Sequence, residues 1–140
     1  MNIIHQENYT LPVSQKLIDL LYQEMGEIPP MRHKLFGVSF IFRDIHYTPN
    51  KGGYHPVEIR LIRQNDQWYF DYITDLSYQG TVYPELEKEL DFSWPQRYVF
   101  HAGVGDLPHQ QGCELFELWQ TNFLSYWRMG VYISTIVWEN

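Results

Sequence analysis

HYTPNKGGYHPVEIRLI, residues 46–62, decides the fold. It places two histidines, two tyrosines and Gly52-Gly53 directly ahead of an alternating apolar run. Gly52-Gly53 is free to take positive φ, so Thr48 to Gly53 is expected to turn the chain back on itself. With His46 opposite His55, Phe42 falls opposite Ile59, Phe40 opposite Leu61 and Asp44 opposite Val57, all on one face. On the other face Arg43 meets Glu58, a cross-strand ion pair. A slip of one residue sets apolar against polar positions along the whole hairpin.

A second turn supports the first. Pairing around Asn65-Asp66 sets Arg63 against Trp68, Leu61 against Phe70 and Ile59 against Tyr72, with Arg60 facing Asp71 on the outer side. Two separate turns thus predict one consistent sheet. Further on, Leu86, Leu90, Phe92 and Trp94 alternate with Glu85, Glu87, Glu89 and Asp91, which predicts a strand with an acidic outer face. Leu86 and Leu90 also suit a short helix, but period two favours the strand. Pairing that strand around Tyr78-Gln79-Gly80 sets Glu87 opposite Asp71. Residues 97–103 form another short strand, 103–112 a loop, and 131–138, rich in β-branched residues, a buried strand.

Two helices complete the pattern. Val13, Leu17, Leu20 and Leu21 fall at helical spacing over residues 11–25, with Thr10 or Ser14 as cap and Gly26 to Pro30 as the stop. Residues 113–129 give a wider stripe of Leu115, Leu118, Trp119, Asn122, Phe123, Tyr126 and Trp127, with Gly130 beyond its end. The expected fold is α+β: a single domain over residues 1–140, with one twisted antiparallel sheet of about five to seven strands flanked by an N-terminal and a C-terminal helix.

Composition narrows the partners. The chain has 140 residues and a formal net charge of −7. Nucleic-acid phosphates attract basic surfaces, so no nucleic-acid partner is expected, whereas a cationic protein partner is compatible. The single cysteine, Cys113, excludes an intrachain disulfide and agrees with a reducing, cytoplasmic compartment. Residues 1–5 show no basic, apolar leader, and no run approaches the roughly 18 apolar residues of a membrane span, so neither secretion nor a membrane partner is expected. An aromatic content of 17% suits a β-rich core, and a surplus at the surface would suggest interfaces such as those of a homo-oligomer.

FRDIHYTPNKGGYHPVEI, YITDLSYQG, PELEKELDF and ELFELWQTNFLSYW together resemble a family of uncharacterised bacterial proteins of this length, over roughly residues 36–127. That family's fold is similar to the acidic mitochondrial matrix glycoprotein family. The resemblance implies a strongly twisted antiparallel sheet flanked by terminal helices. Members of the second family form acidic ring-shaped trimers, and the human member binds the globular heads of the first complement component. The link implies a fold and carries over no functional residue. The present chain differs in ending on a predicted strand and in lacking long acidic loops.

Two readings of function follow. The leading one is a non-enzymatic, acidic, oligomeric interaction module without cofactor, whose docking surface is Glu85, Glu87, Glu89 and Asp91; the plain alternative for those residues is a solvated face. The rival is a small-molecule or metal-binding protein with hydrolase-like activity, using Asp44, His46 and His55 as a two-histidine, one-carboxylate ligand set. His101, Asp106 and His109 lie in a glycine-containing segment without the G-x-G-x-x-G spacing of a dinucleotide site. No G-x-S-x-G, P-loop or H-E-x-x-H occurs, and Cys113 has no basic neighbour in sequence.

Overall fold

The computed structural model describes residues 4–5, 10–26 and 35–140. Residues 1–3 of the leader reading and 27–30 of the helix stop lie outside the described residues. The described residues form ten elements: β1 (Ile4–His5), α1 (Gln15–Met25), β2 (Gly37–Arg43), β3 (Val57–Gln64), β4 (Gln67–Gln79), β5 (Glu85–Ser93), β6 (Tyr98–His101), β7 (Gly105–Asp106), α2 (His109–Met129) and β8 (Ile133–Glu139). Strands β2 to β7 form an antiparallel meander, β8 lies beside β2, and the order is β7-β6-β5-β4-β3-β2-β8. The α+β expectation is met. The short β1, which runs parallel to β4 through Ile4↔Trp68 and His5↔Tyr69, is an addition that the sequence did not signal.

One face of the sheet carries the core. Val38, Phe40 and Phe42 of β2, Ile59 and Leu61 of β3, and Ile73 of β4 are all fully buried, beneath Leu17 and Leu21 of α1 and Phe116 and Phe123 of α2. Burial of each such side chain is worth about 1.5–3 kcal/mol relative to exposure. Glu24 ties the helical layer to the sheet, accepting from the Trp127 indole at 2.8 Å and the Ser134 hydroxyl at 2.9 Å. Gln120, buried in α2, holds the start of α1 by accepting from the Ser14 amide at 2.9 Å and donating to the Pro12 carbonyl at 3.1 Å.

The Asn65-Asp66 turn forms as expected, both residues at positive φ, and Arg63↔Trp68 and Leu61↔Phe70 pair. Beyond Leu61 a bulge displaces the ladder by one, so Ile59 meets Ile73 instead of Tyr72. Arg60 still reaches Asp71, and its guanidinium also binds Glu139 of β8, joining three strands across the outer face.

The β2–β3 pairing differs by two residues from the expected register. Phe42 lies opposite Val57, Phe40 opposite Ile59 and Val38 opposite Leu61. A two-residue shift keeps every side chain on its expected face, so the core is as read, but Arg43 no longer meets Glu58, which lies opposite Ile41. The cause is Asp44. Its carboxylate accepts from the backbone amides of His46 at 2.9 Å and Tyr54 at 3.1 Å, folding residues 44–54 into one compact loop that ends pairing early. Gly53 is required in that loop, since a Cβ there would sit 2.9 Å from the Asp44 carboxylate and from the Tyr47 backbone.

Helix α1 starts at Gln15 with Ser14 as cap, a turn later than expected, leaving Pro12 ahead of it. Helix α2 starts a turn earlier, at His109, and β7 also falls within the segment read as loop. Gly112 misled the reading: it is a helical glycine seated directly over Val99 of β6. The buried stripe of α2 is Gly112, Phe116, Trp119, Gln120, Phe123 and Leu124, rotated from the expected one, and Leu118 is 60% exposed.

Candidate functional site

Strand β5 does not keep its alternation. Asp75 pairs with Leu90 but Leu76 with Lys88, so Glu89 is the extra residue of a bulge. The bulge divides the acidic set. Glu89 turns toward the helical side and accepts from the Ser77 hydroxyl at 2.8 Å. Glu87 lies opposite Ser77 and Glu85 opposite Gln79, so both share that side. Glu87 therefore does not face Asp71. Asp91 points the other way, is only 3% exposed, and is satisfied by Thr74 at 2.6 Å, Tyr98 at 2.5 Å and Lys88 at 3.2 Å. Burial and Asp91 push the Tyr98 hydroxyl up to about 12. Leu86, expected inward, pairs with Tyr78 on the outer side and is 37% exposed.

The set Asp44, His46 and His55 is likewise taken apart. Asp44 is occupied with backbone amides, which hold its carboxyl below the usual range. His55 binds Asp75, its ring Nδ1 lying 2.7 Å from Oδ1. Among the described residues no three His, Cys, Asp or Glu side chains are grouped so as to hold a metal ion. Cys113 lies within α2, where burial and then Glu117 and Glu114 push its thiol up, away from the reactive thiolate.

What the fold does assemble is a cleft of about 400 Å³ between α2 and the sheet. Asp75 stands at its floor and accepts on Oδ2 from the Trp119 indole at 3.1 Å, so one buried carboxylate links His55, β4 and α2. Tyr47, whose ring centroid lies 5.4 Å from that of His55 and 5.1 Å from that of Tyr78, braces the imidazole. Glu89 and His101 line the sheet side, and Leu115, Leu118, Asn122 and Tyr126 line the helix side. Those four helix residues belong to the predicted stripe; they face the cleft where the core had been expected. The His55–Asp75 pairing was missed because the two residues meet only once the β3–β4 bulge is known. By parity Asp75 falls out of phase with Trp68 and Phe70, and only the bulge brings it onto their side with Ile73.

Asp75 raises the His55 pKa through its hydrogen bond, burial opposes this, and the charges of Asp75 and Glu89 add to the rise. Folding therefore favours the protonated ring. This contribution is fully present below the unfolded value near 6.5 and is lost as pH rises through the higher folded value. Denaturation at a series of pH values should show wild-type stability falling relative to His55→Gln as pH is raised from about 6 to about 9. Parallel curves for the two proteins would show that the pair is not coupled to folding.

Comparison with known proteins gives a family and solved relatives, among them two from Vibrio cholerae. The family described as Protein of unknown function (DUF2787) matches residues 15–137. A hypothetical protein from the VSP-II pathogenicity island of Vibrio cholerae is 33% identical, with a TM-score of 0.89 over 99% of this chain and 100% of its own. A conserved hypothetical protein from pathogenicity island VPI-2 of Vibrio cholerae O1 biovar eltor is also 33% identical, with a TM-score of 0.77 over 96% of this chain and 100% of its own; it is described as sharing structural homology with the human p32 protein. No curated protein matches the chain. No helix among the described residues is long and apolar enough to cross a membrane.

Proposed function

Since the chain belongs to the DUF2787 family of proteins of unknown function, we propose that it is a non-enzymatic, acidic interaction module of the cytoplasm that self-associates and docks a cationic protein partner. The observation that carries this reading is the bulge at Glu89. It gathers Glu85, Glu87 and Glu89 on the helical side of the β4–β5 ribbon and turns Lys88, the one cation of that strand, to the opposite side against Asp91. The three glutamates are thereby left without a basic neighbour in their own strand. Such a field accelerates encounter with a basic surface and enforces its orientation. Self-association is supported by β8, an edge strand whose Ile133 and Val137 are 56% and 45% exposed.

The docking face is tested by Glu85→Lys with Glu87→Lys, leaving Glu89 and its Ser77 bond in place. Proteins captured by wild type and identified by mass spectrometry should bind the double variant about tenfold more weakly or worse at low salt, with the difference shrinking as salt is added. Stability should stay within about 0.5 kcal/mol, since Glu87 faces Ser77 and relieves no like-charge pair. Binding that survives both reversals at low ionic strength would make the face a solvated one. A monomer by light scattering at all concentrations would remove the oligomeric part.

A further inference from the structure

The cleft beneath α2 is lined by acceptors and aromatic rings. Asp75 and Glu89 supply two carboxylates, and each keeps lone pairs beyond those engaged by His55, Trp119 and Ser77. His101 lies with Nδ1 2.6 Å from the Ala102 carbonyl. A carbonyl only accepts, so that nitrogen carries the proton, and in the neutral ring Nε2 offers a further acceptor. No Lys or Arg is among the lining residues, and of the two histidines there, His55 is matched by Asp75 at 2.7 Å while His101 is turned to the Ala102 carbonyl. Glu89 thus brings net negative charge to a cleft that the rings of Tyr54, Tyr126, Tyr132 and Phe123 also line.

A ligand suited to this wall brings several donors, a positive charge and a flat face. Guanidinium meets all three conditions: its planar fork donates to carboxylates, it stacks on aromatic rings, and it is weakly hydrated for a cation. The volume of about 400 Å³ lies at the lower end of the range for small-ligand sites, which suits a single side chain or a compact metabolite. We infer that the cleft binds an alkylguanidinium, either a free small molecule or an arginine side chain offered by a protein. The second source rests on the docking reading above, whose glutamates continue the same side of the ribbon up to the mouth of the cleft at Glu89.

The test is a titration of the full chain, followed by NMR at the Trp119 indole N–H, with agmatine, with N-acetyl-arginine methylamide and with N-acetyl-glutamine methylamide. Both guanidinium compounds should give saturable shifts in the millimolar range or below, and the neutral compound none. Glu89→Gln and Tyr126→Ala should each weaken binding about tenfold. Tighter binding of agmatine assigns the site to a free cation, and tighter binding of the blocked arginine to a protein side chain. Absence of saturation with either cation up to about 10 mM, or equal shifts with the glutamine compound, would overturn the inference. The variant carrying Glu85→Lys and Glu87→Lys keeps the cleft, so partner binding that survives in it overturns the docking face alone, and absence of agmatine binding to wild type overturns the site alone.

Discussion

Phe116→Ala is expected to lower the free energy of unfolding by about 3–5 kcal/mol. Phe116 is 0% exposed and stands edge-on to Phe92, with ring centroids 5.0 Å apart, and to Trp94 at 5.9 Å. Its truncation removes the transfer energy of the ring and opens a cavity that those rigid neighbours cannot collapse to fill. Aromatic pairs add roughly 0.5–1.5 kcal/mol each beyond area, which places the substitution toward the upper end. For a domain of this size the melting temperature should fall by roughly 10–20 °C. Urea denaturation followed by far-UV circular dichroism measures it, and a loss below about 1 kcal/mol would mean that α2 is not seated on β5 as described.

Gly112→Leu acts by the opposite route. A Cβ at this position would lie 2.8 Å from Cγ2 and 3.0 Å from Cβ of Val99, which is fully buried in β6. The rest of a leucine has nowhere to go, so helix and sheet must part. Overpacking of this kind typically costs about 1–3 kcal/mol, and more where backbone has to move. Glycine is itself about 1 kcal/mol worse than alanine inside a helix, so the fold tolerates a local cost at Gly112 for the sake of close contact. Pairing Gly112→Leu with Val99→Ala should recover part of the loss, giving a coupling energy of the size found for residues in contact. Strictly additive losses would show that the two positions do not meet.

These two positions also mark what could be read in advance. Period-two alternation put Phe40, Phe42, Ile59 and Leu61 on the buried face correctly, because a face depends only on parity. Register depends on where pairing stops, and with Asp44 bonded to two amides the pairing stops at Phe42↔Val57, short of the expected His46 and His55, and two residues out of the expected register. Bulges were invisible for a related reason. Nothing in Glu87-Lys88-Glu89-Leu90 distinguishes the residue that falls out of step, yet that step sends Glu89 and Asp91 to opposite sides. Gly112 was mistaken for loop because local propensity says nothing of what lies across from a helix. His55 was read as a ligand beside Asp44 and His46, whereas its partner in the fold, Asp75, is 20 residues away, across a bulge that no short-range pattern reveals.

The placement of β8 beside β2 bears on how the chain comes off the ribosome. All seven residues of β2, Gly37 to Arg43, pair with Ile133–Glu139, and six of them, Gly37 to Phe42, also pair with β3 on the other side. Translation delivers β2 early and its neighbour only after β3 to β7 and α2 have been made. Throughout that interval the Val38-Phe40-Phe42 strand has β3 on one side and an open edge on the other, the arrangement that recruits foreign strands. A nascent chain stalled just short of Ile133 should therefore be held by chaperones or cross-pair with its neighbours on a polysome, whereas one extended past Glu139 should release.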